Sequence, residues 1–389
     1  MNKTRQFIAP GAGGVHLRCP ASDLDSARQS FLDELESLGL DPCVEINRMV
    51  DVNGEFVHFG LNESSLRDFG SDFDTTQLCQ KLNLDTGGSP DDLEREILLA
   101  MLMGPVAFPF PTYDELVSAV RIRKNIVVAA RKTALAFDTE EAERPAGDWN
   151  YSEARGFTLM PGRPLIESLR KATQPERSGK LYSFSCYRAT EYVMLLGLAQ
   201  ELERCNPELS RRLQEQWETR AIMSGEFHDV FLHEYGTLNN PLPPRYYVPG
   251  DRVWFRNPDE HSSNVDGYEG SWVFYIGNGL FTNFWKRDQP FTLVTKCVEL
   301  FHWRNATCRN GDGKLRIDED IVEDRVRQSL QNPLEEGQIL EKMLRLREPA
   351  GVYLNGGCVD ATREYVCRVR PGTSEIVFPH KNSLHKVVE

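Results

Sequence analysis

The sequence has no CxxC pair, although nine cysteines are present, at positions 19, 43, 79, 186, 205, 297, 308, 358 and 367. An odd, scattered set of this kind supplies neither a disulfide framework nor a zinc knuckle, so most of these thiols are expected to be reduced and buried. No apolar run reaches the ~20 residues of a membrane-spanning helix. The opening MNKTRQFIAPGAGG has no apolar stretch of the kind a Sec-type signal peptide carries. Positive charge is in deficit: 45 Lys and Arg against 58 Asp and Glu give a formal net charge of −13. So acidic a chain lacks the basic field that grips nucleic acid or an anionic membrane, and neither is expected as a partner. Internal repeats and low-complexity tracts are also missing, which leaves a non-repetitive globular chain.

What is present has ordinary globular texture, with 40% hydrophobic and 26% charged residues in 389, enough for one large domain or two modest ones. Up to about residue 100, short helical and strand-like pieces (SARQSFLDELESLGL, FVHFGL) alternate with turns such as DTGGSPDDLE. The proline- and aromatic-punctuated GPVAFPFPTYDE reads as a boundary. YDELVSAVRIRKNIVVAARKTALAF follows at helical spacing, with Asp114 and Glu115 in its first turn, where the helix dipole favours acids. TEEAERPAGDWNYSEARG reads as a loop. LYSFSCYRATEYVMLLGLAQELERCNPELSRRLQEQ reads as one or two helices broken at Pro207. NNPLPPRYYVPG is an extended connection, and RVWFRNP, GSWVFYIG and GLFTNFW read as strands. The tail predicts an amphipathic helix and a hairpin made of GVYLNGG and EYVCRVRP.

Cys186, in YSFSCYRATEYVMLL, precedes the longest of these helices. A thiol at a helix N-terminus meets partial positive charge and unsatisfied N–H groups, both of which favour the nucleophilic thiolate. A cysteine-opened helix followed by antiparallel strands is also the order of papain-like cysteine enzymes. Against this stands the ordinary role of a free cysteine as a buried filler.

Three blocks move the balance: FPTYDELVSAVRIRKNIVVAARKTALAF at 110–137, LYSFSCYRATEYVMLLGLAQEL, and PGDRVWFRNPDE at 249–260 followed by EGSWVFYIGNGLFTNF. Together they resemble the bacterial spore-coat type of protein-glutamine gamma-glutamyltransferase, a transglutaminase on a papain-like, NlpC-type core. The resemblance runs over roughly 105–310. It implies an α+β fold with the cysteine at a helix N-terminus packed on an antiparallel sheet. It also implies a division into a 1–100 extension, a 101–310 catalytic core and a 311–389 helical and hairpin extension.

The implied chemistry is acyl transfer without a metal or other cofactor. The Cys186 thiolate attacks a protein glutamine, ammonia leaves, and the thioester passes to a lysine amine or to water. The family's catalytic glutamate falls, in a gap-free alignment, on Ser271. Glu269 stands two residues earlier, on the same face of an extended strand, and a one-residue length difference would bring it into place. Asp266 and His261 are further candidates for the base. Ser185 occupies the position of a second family acid, and Asn283 that of a nearby histidine. Ser185, Tyr187 and Trp272 are the substrate- and oxyanion-side candidates.

The remaining signals are weaker. His228 and His233, five apart, do not share a helix face and make a poor metal pair. His302 reads as a packed histidine, and His380 and His385 lie in a polar tail. CRNGDGKLRIDE at 308–319 follows an EF-hand loop at several positions, but opens with the soft sulfur of Cys308 where calcium takes a hard oxygen, so a polar turn capping the next helix is expected. The expected partners are protein substrates that supply glutamine and lysine, with an inhibitory partner if the protein is a toxin-like effector. The expected location is the cytoplasm or a spore coat, with signal-independent secretion also open. The competing function is a catalytically degenerate binding or structural relative, or an effector deamidase or papain-like hydrolase.

Overall fold

A computed structural model describes residues 13–378 apart from 138–141, 154, 222–223, 310 and 312. His380 and His385 lie outside the described residues. The N-terminal part builds a four-stranded sheet from β1 (Gly14–Leu17), β2 (Val44–Asp51), β3 (Gly54–Leu61) and β4 (Ala107–Phe110), in the order β2-β3-β1-β4. Helix α1 (Leu24–Ser37) buries Leu24, Ala27, Phe31 and Leu35, a 3-4-4 spacing that makes one apolar stripe. The stretch GPVAFPFPTYDE forms β4, parallel to β1, with Phe108 and Phe110 in the same core as Val15 and Phe59. Alternation of buried Phe with half-buried Ala and Pro is a strand pattern, and the prolines sit at the sheet edge.

Helix α2 (Pro90–Leu102) opens on the Ser89 cap, whose side chain accepts from the Asp92 N–H, and carries Pro90 in its first turn. Helix α3 (Tyr113–Lys132) is capped by Thr112 and lies along α4 (Cys186–Cys205). The two approach closely at Gly197, where a Cβ would come within 2.5 Å of the Ile126 side chain and 3.0 Å of its backbone nitrogen. Pro207 ends the long helix as expected: Asn206 caps both α4 and α5 (Pro207–Thr219), with Pro207 in the first turn of the second. Residues 149–152, expected as loop, pair with 156–159 in a short hairpin.

The second sheet carries the chemistry. It consists of β5 (Leu232–Tyr235), which follows α6 (Ser224–Phe231), and of β6 (Arg252–Arg256), β7 (Gly270–Phe274) and β8 (Arg363–Val366), in the antiparallel order β7-β6-β8-β5. β8 pairs with β5 and β6, so the expected hairpin between GVYLNGG and EYVCRVRP does not form. Residues 351–357 are instead a turn, and the partners of β8 come from more than a hundred residues upstream. One face of the sheet, with Val253, Phe255 and Val273, packs on α7 (Leu293–His302), α8 (Glu319–Leu330) and α9 (Pro333–Met343). The other face meets α4. This is the α+β arrangement anticipated: a cysteine-opened helix packed on an antiparallel sheet.

Two of the sequence blocks meet in the interior. Arg123 of α3 donates to Asp251 at 2.7 Å, and Asp251 also accepts from the Tyr235 hydroxyl and from the Val248 N–H at 2.7 Å. Both charges are buried, so the pair locks α3 to the start of β6.

Candidate active site

Cys186 is the first residue of α4. Ser185 before it is extended, and its hydroxyl accepts from the Arg188 N–H at 3.3 Å, so the side chain is spent as the helix cap. Cys186 itself is half-buried and lines a cleft of about 320 Å³. Helix α4 contributes its cap Ser185 with Cys186 and Tyr187, β6 contributes Trp254, β7 contributes Gly270 and Trp272, and the segment entering β7 contributes Gly267 and Glu269. Trp254 and Trp272, cross-strand partners, stack with centroids 5.8 Å apart at 19°. Tyr187 meets Trp272 edge-on at 5.4 Å. Gly270 is required under this roof, because a Cβ there would lie 2.4 Å from the Trp254 indole nitrogen.

The sulfur experiences opposed effects. Burial pushes the Cys186 thiol up, while the N–H of Trp272, the Lys296 ammonium, the N–H of Tyr187 and the Arg252 guanidinium pull it down, and burial wins. The N–H group of Tyr187 in the first turn acts in the direction expected of a helix N-terminus, and burial outweighs it.

Glu269 and Cys186 line the same cleft. Glu269 is exposed and sits one residue before β7. Its position is fixed from behind by Asn257, whose backbone N–H donates to the Glu269 carbonyl at 3.0 Å. The buried Asn257 amide donates to the Tyr268 carbonyl at 2.9 Å and to Ser262 at 3.0 Å, and its oxygen accepts from the Asp259 N–H at 3.0 Å. The loop from 257 to 269 is thus closed at its neck by one side chain.

Other expected site residues are placed elsewhere. Ser271 alternates with Trp272 along β7, on the side of Val273 and the α7 core, and does not line the cleft. A strand shows successive side chains to opposite faces, so the gap-free alignment puts its serine on the wrong one. The expected shared face of Glu269 and Ser271 does not hold, because β7 begins at Gly270 and Glu269 precedes it. Asn283 also stays out of the cleft: its amide donates to the Gln289 carbonyl and its oxygen accepts from the Lys286 N–H, closing a turn at 283–289. Asp266 pairs with Lys314 at 3.2 Å, and neither it nor His261 lines the cleft.

His228 and His233 bond to different carboxylates, Glu364 and Glu375. His302 is buried between Ser329 and Asn305, as a packed histidine should be. In the EF-hand-like segment residues 307–309 pair with 315–317, so that Cys308 opposes Arg316, and Glu319 accepts from the Tyr268 hydroxyl; Asn310 and Asp312 lie outside the described residues. A larger depression of about 520 Å³, at Thr76–Leu84 and Thr292–Val294, contains Cys79, a thiol that burial and the neighbouring Glu96 push far up.

A sequence model of the protein-glutamine gamma-glutamyltransferase family matches residues 73–376. The chain belongs to this family. Among its relatives are the protein-glutamine gamma-glutamyltransferases of Bacillus cereus strains G9842 and B4264, each 26% identical over 200 residues. That alignment covers 49% of this chain and 66% of either relative, so the chain spans a little under two thirds of their length. A solved transglutaminase from Geobacillus stearothermophilus, without its C-terminal extension, is 20% identical at a TM-score of 0.38. It covers 55% of this chain and 98% of its own.

In this transglutaminase-family chain, the residues that sequence reasoning missed are Trp254, Asn257 and Arg252. The signal for Trp254 was available: period-two alternation in RVWFR puts Arg252, Trp254 and Arg256 on one face. Among the described residues no helix is long and apolar enough to cross a membrane.

Proposed function

We propose that the protein is a cysteine-dependent acyltransferase acting on protein glutamines, with Cys186 as nucleophile and Glu269 as the carboxylate that activates it. The observation that supports this reading is the sharing of one aromatic-walled cleft by Cys186 and Glu269. The sulfur attacks the glutamine carboxamide carbon, and its proton passes through Glu269 to the departing nitrogen, which leaves as ammonia. First-turn N–H groups of α4 stabilise the oxyanion. A lysine amine then attacks the thioester carbon, an isopeptide bond forms as the C–S bond breaks, and the amine proton passes through Glu269 back to the Cys186 sulfur. Water in place of the amine gives glutamate. No step passes through a metal. Trp254, Trp272 and Tyr187 line the apolar walls along which the aliphatic part of a glutamine side chain would lie.

One feature favours a second reading, a catalytically silent relative that binds protein partners: burial pushes the Cys186 thiol up. Incorporation of a fluorescent amine into a glutamine-donor protein separates the two. The enzyme reading expects labelling by the wild type, none by Cys186→Ala, and a strong drop with Glu269→Gln while Ser271→Ala stays near wild type. Equal signals from wild type and Cys186→Ala would sink it.

A further inference from the structure

Behind the cleft lies an ion pair that the reaction scheme above leaves unused. Arg252 is buried and stands two residues before Trp254 on the same face of β6. Its guanidinium donates through Nε to the Thr190 hydroxyl of α4 at 2.9 Å and through Nη1 to Glu364 of β8 at 2.8 Å. The carbon at its centre lies 4.1 Å from the Trp272 ring centroid and 4.4 Å from that of Tyr187. The third nitrogen, Nη2, is buried and has no hydrogen-bond partner among the described residues, so part of this charge is answered only by aromatic faces. The second oxygen of Glu364 contacts His228 Nδ1 at 3.0 Å.

The two perpendicular rings that meet at Arg252 belong to the two residues whose backbone N–H groups favour the Cys186 thiolate. We propose that Arg252 is a positioning residue of the Cys186 site: clamped by Glu364 and Thr190, it fixes the Tyr187 and Trp272 walls and supplies positive charge against which the thiolate forms. Glu364 tempers that charge, and His228 tempers Glu364 in turn. The other charged groups around the site are Lys296 from α7, itself paired with Glu299, and Glu269, which lines the same cleft. Arg188 and Glu191 on α4 pair with each other, and Glu234 adds negative charge near His228.

This proposal rests on the nucleophile reading of Cys186, and the test separates the two. Opposite ends of one ion pair must move the thiol in opposite directions, whereas mere structural damage moves it one way. The measurement is the rate of iodoacetamide alkylation of Cys186, followed by peptide mass spectrometry from pH 5 to 10 on the full chain. Removing the cation with Arg252→Met shifts the profile to higher pH and slows alkylation at pH 7 roughly tenfold, one unit of proton affinity for one lost charge. Glu364→Gln leaves Arg252 untempered, shifts the profile to lower pH and raises the rate at pH 7 several-fold. Arg252→Lys keeps the charge and falls between Met and wild type.

Shifts of the two variants in the same direction, or no shift in either, overturn the proposal while leaving Cys186 as nucleophile. If Arg252→Met does not fold, as judged by thermal unfolding, Glu364→Gln decides alone, and an unchanged or slower rate refutes. Wild-type Cys186 that resists alkylation throughout overturns both the proposal and the reading beneath it.

Discussion

Asp251→Ala is the perturbation whose energy follows most directly from the fold. The carboxylate is fully buried and takes three donors: the Arg123 guanidinium, the Tyr235 hydroxyl and the Val248 N–H. Deleting it strands a cation that is only 4% exposed and retains just the Val248 and Pro249 carbonyls, at 3.5 and 3.3 Å. Breaking a buried pair from one side costs about 3–5 kcal/mol, most of it from the uncompensated charge. Against a total stability of roughly 5–15 kcal/mol, such a variant is close to unfolding. Urea titration followed by far-UV circular dichroism measures the loss. Arg123→Met combined with Asp251→Ala removes the stranded charge and should recover more than half of it, although each change alone is destabilising. The reasoning is refuted if Asp251→Ala costs less than about 1 kcal/mol, or if the double variant is no better than the single one.

Three further outcomes are expected. Asn257→Ala, which removes the three hydrogen bonds at the neck of the 257–269 loop, should lower stability by about 2 kcal/mol and cut amine incorporation some hundredfold by loosening Glu269; unchanged incorporation by the folded variant would remove Glu269 from the scheme. Gly197→Ala forces a methyl into Ile126 and should cost about 1–3 kcal/mol by thermal unfolding, with no effect if α3 and α4 can part freely. Burial, with help from His58 and Arg18, lowers the His16 pKa from 6.5 to about 4. The unfolded chain therefore takes up a proton that the fold refuses, and stability should fall by up to about 3 kcal/mol between pH 6.5 and 4. His16→Phe should flatten that part of the stability curve, and an unaltered slope would assign the acid sensitivity to other groups.

Local signals carried much of the fold. Helices α1, α3, α4 and α5 follow from apolar spacing and from caps such as Thr112, Ser185 and Asn206, all of which act within a few residues. Pairing was not legible in the same way. β8 inserts between β5 and β6, with Leu232, Tyr235 and Val366 buried in one core and Val253 and Phe255 in the other, and no short-range pattern around Arg363–Val366 states that choice. A turn-flanked GVYLNGG beside EYVCRVRP offered the shorter loop, but non-local burial outweighed it. The site divides along the same line. Cys186 at a helix start and Glu269 before a strand are local facts. The exclusion of Ser271 depends on which face of β7 meets α4, and Arg252, Glu364 and His228 become one network only when β6, β8 and α6 are brought together.

The electrostatics of the cleft constrain how such a nucleophile could work. A helix N-terminus contributes roughly 0.3–1 kcal/mol, under one unit of proton affinity, whereas burial of a charge can move a group by several units. Burial pushes the Cys186 thiol up, and two neighbouring cations reduce that rise without cancelling it. A thiol of this kind gains nothing from waiting as a thiolate. It needs a base at the moment of attack, which makes an exposed carboxylate on a loop pinned by Asn257 a better partner than a buried one. That separates two pH dependences: Cys186→Ser should lose amine incorporation at every pH. Glu269→Gln, in contrast, should regain a fraction as the pH rises toward the thiol's own ionisation, where no base is required. A Glu269→Gln rate that stays flat with pH would mean that the carboxylate acts on the acceptor amine rather than on the sulfur.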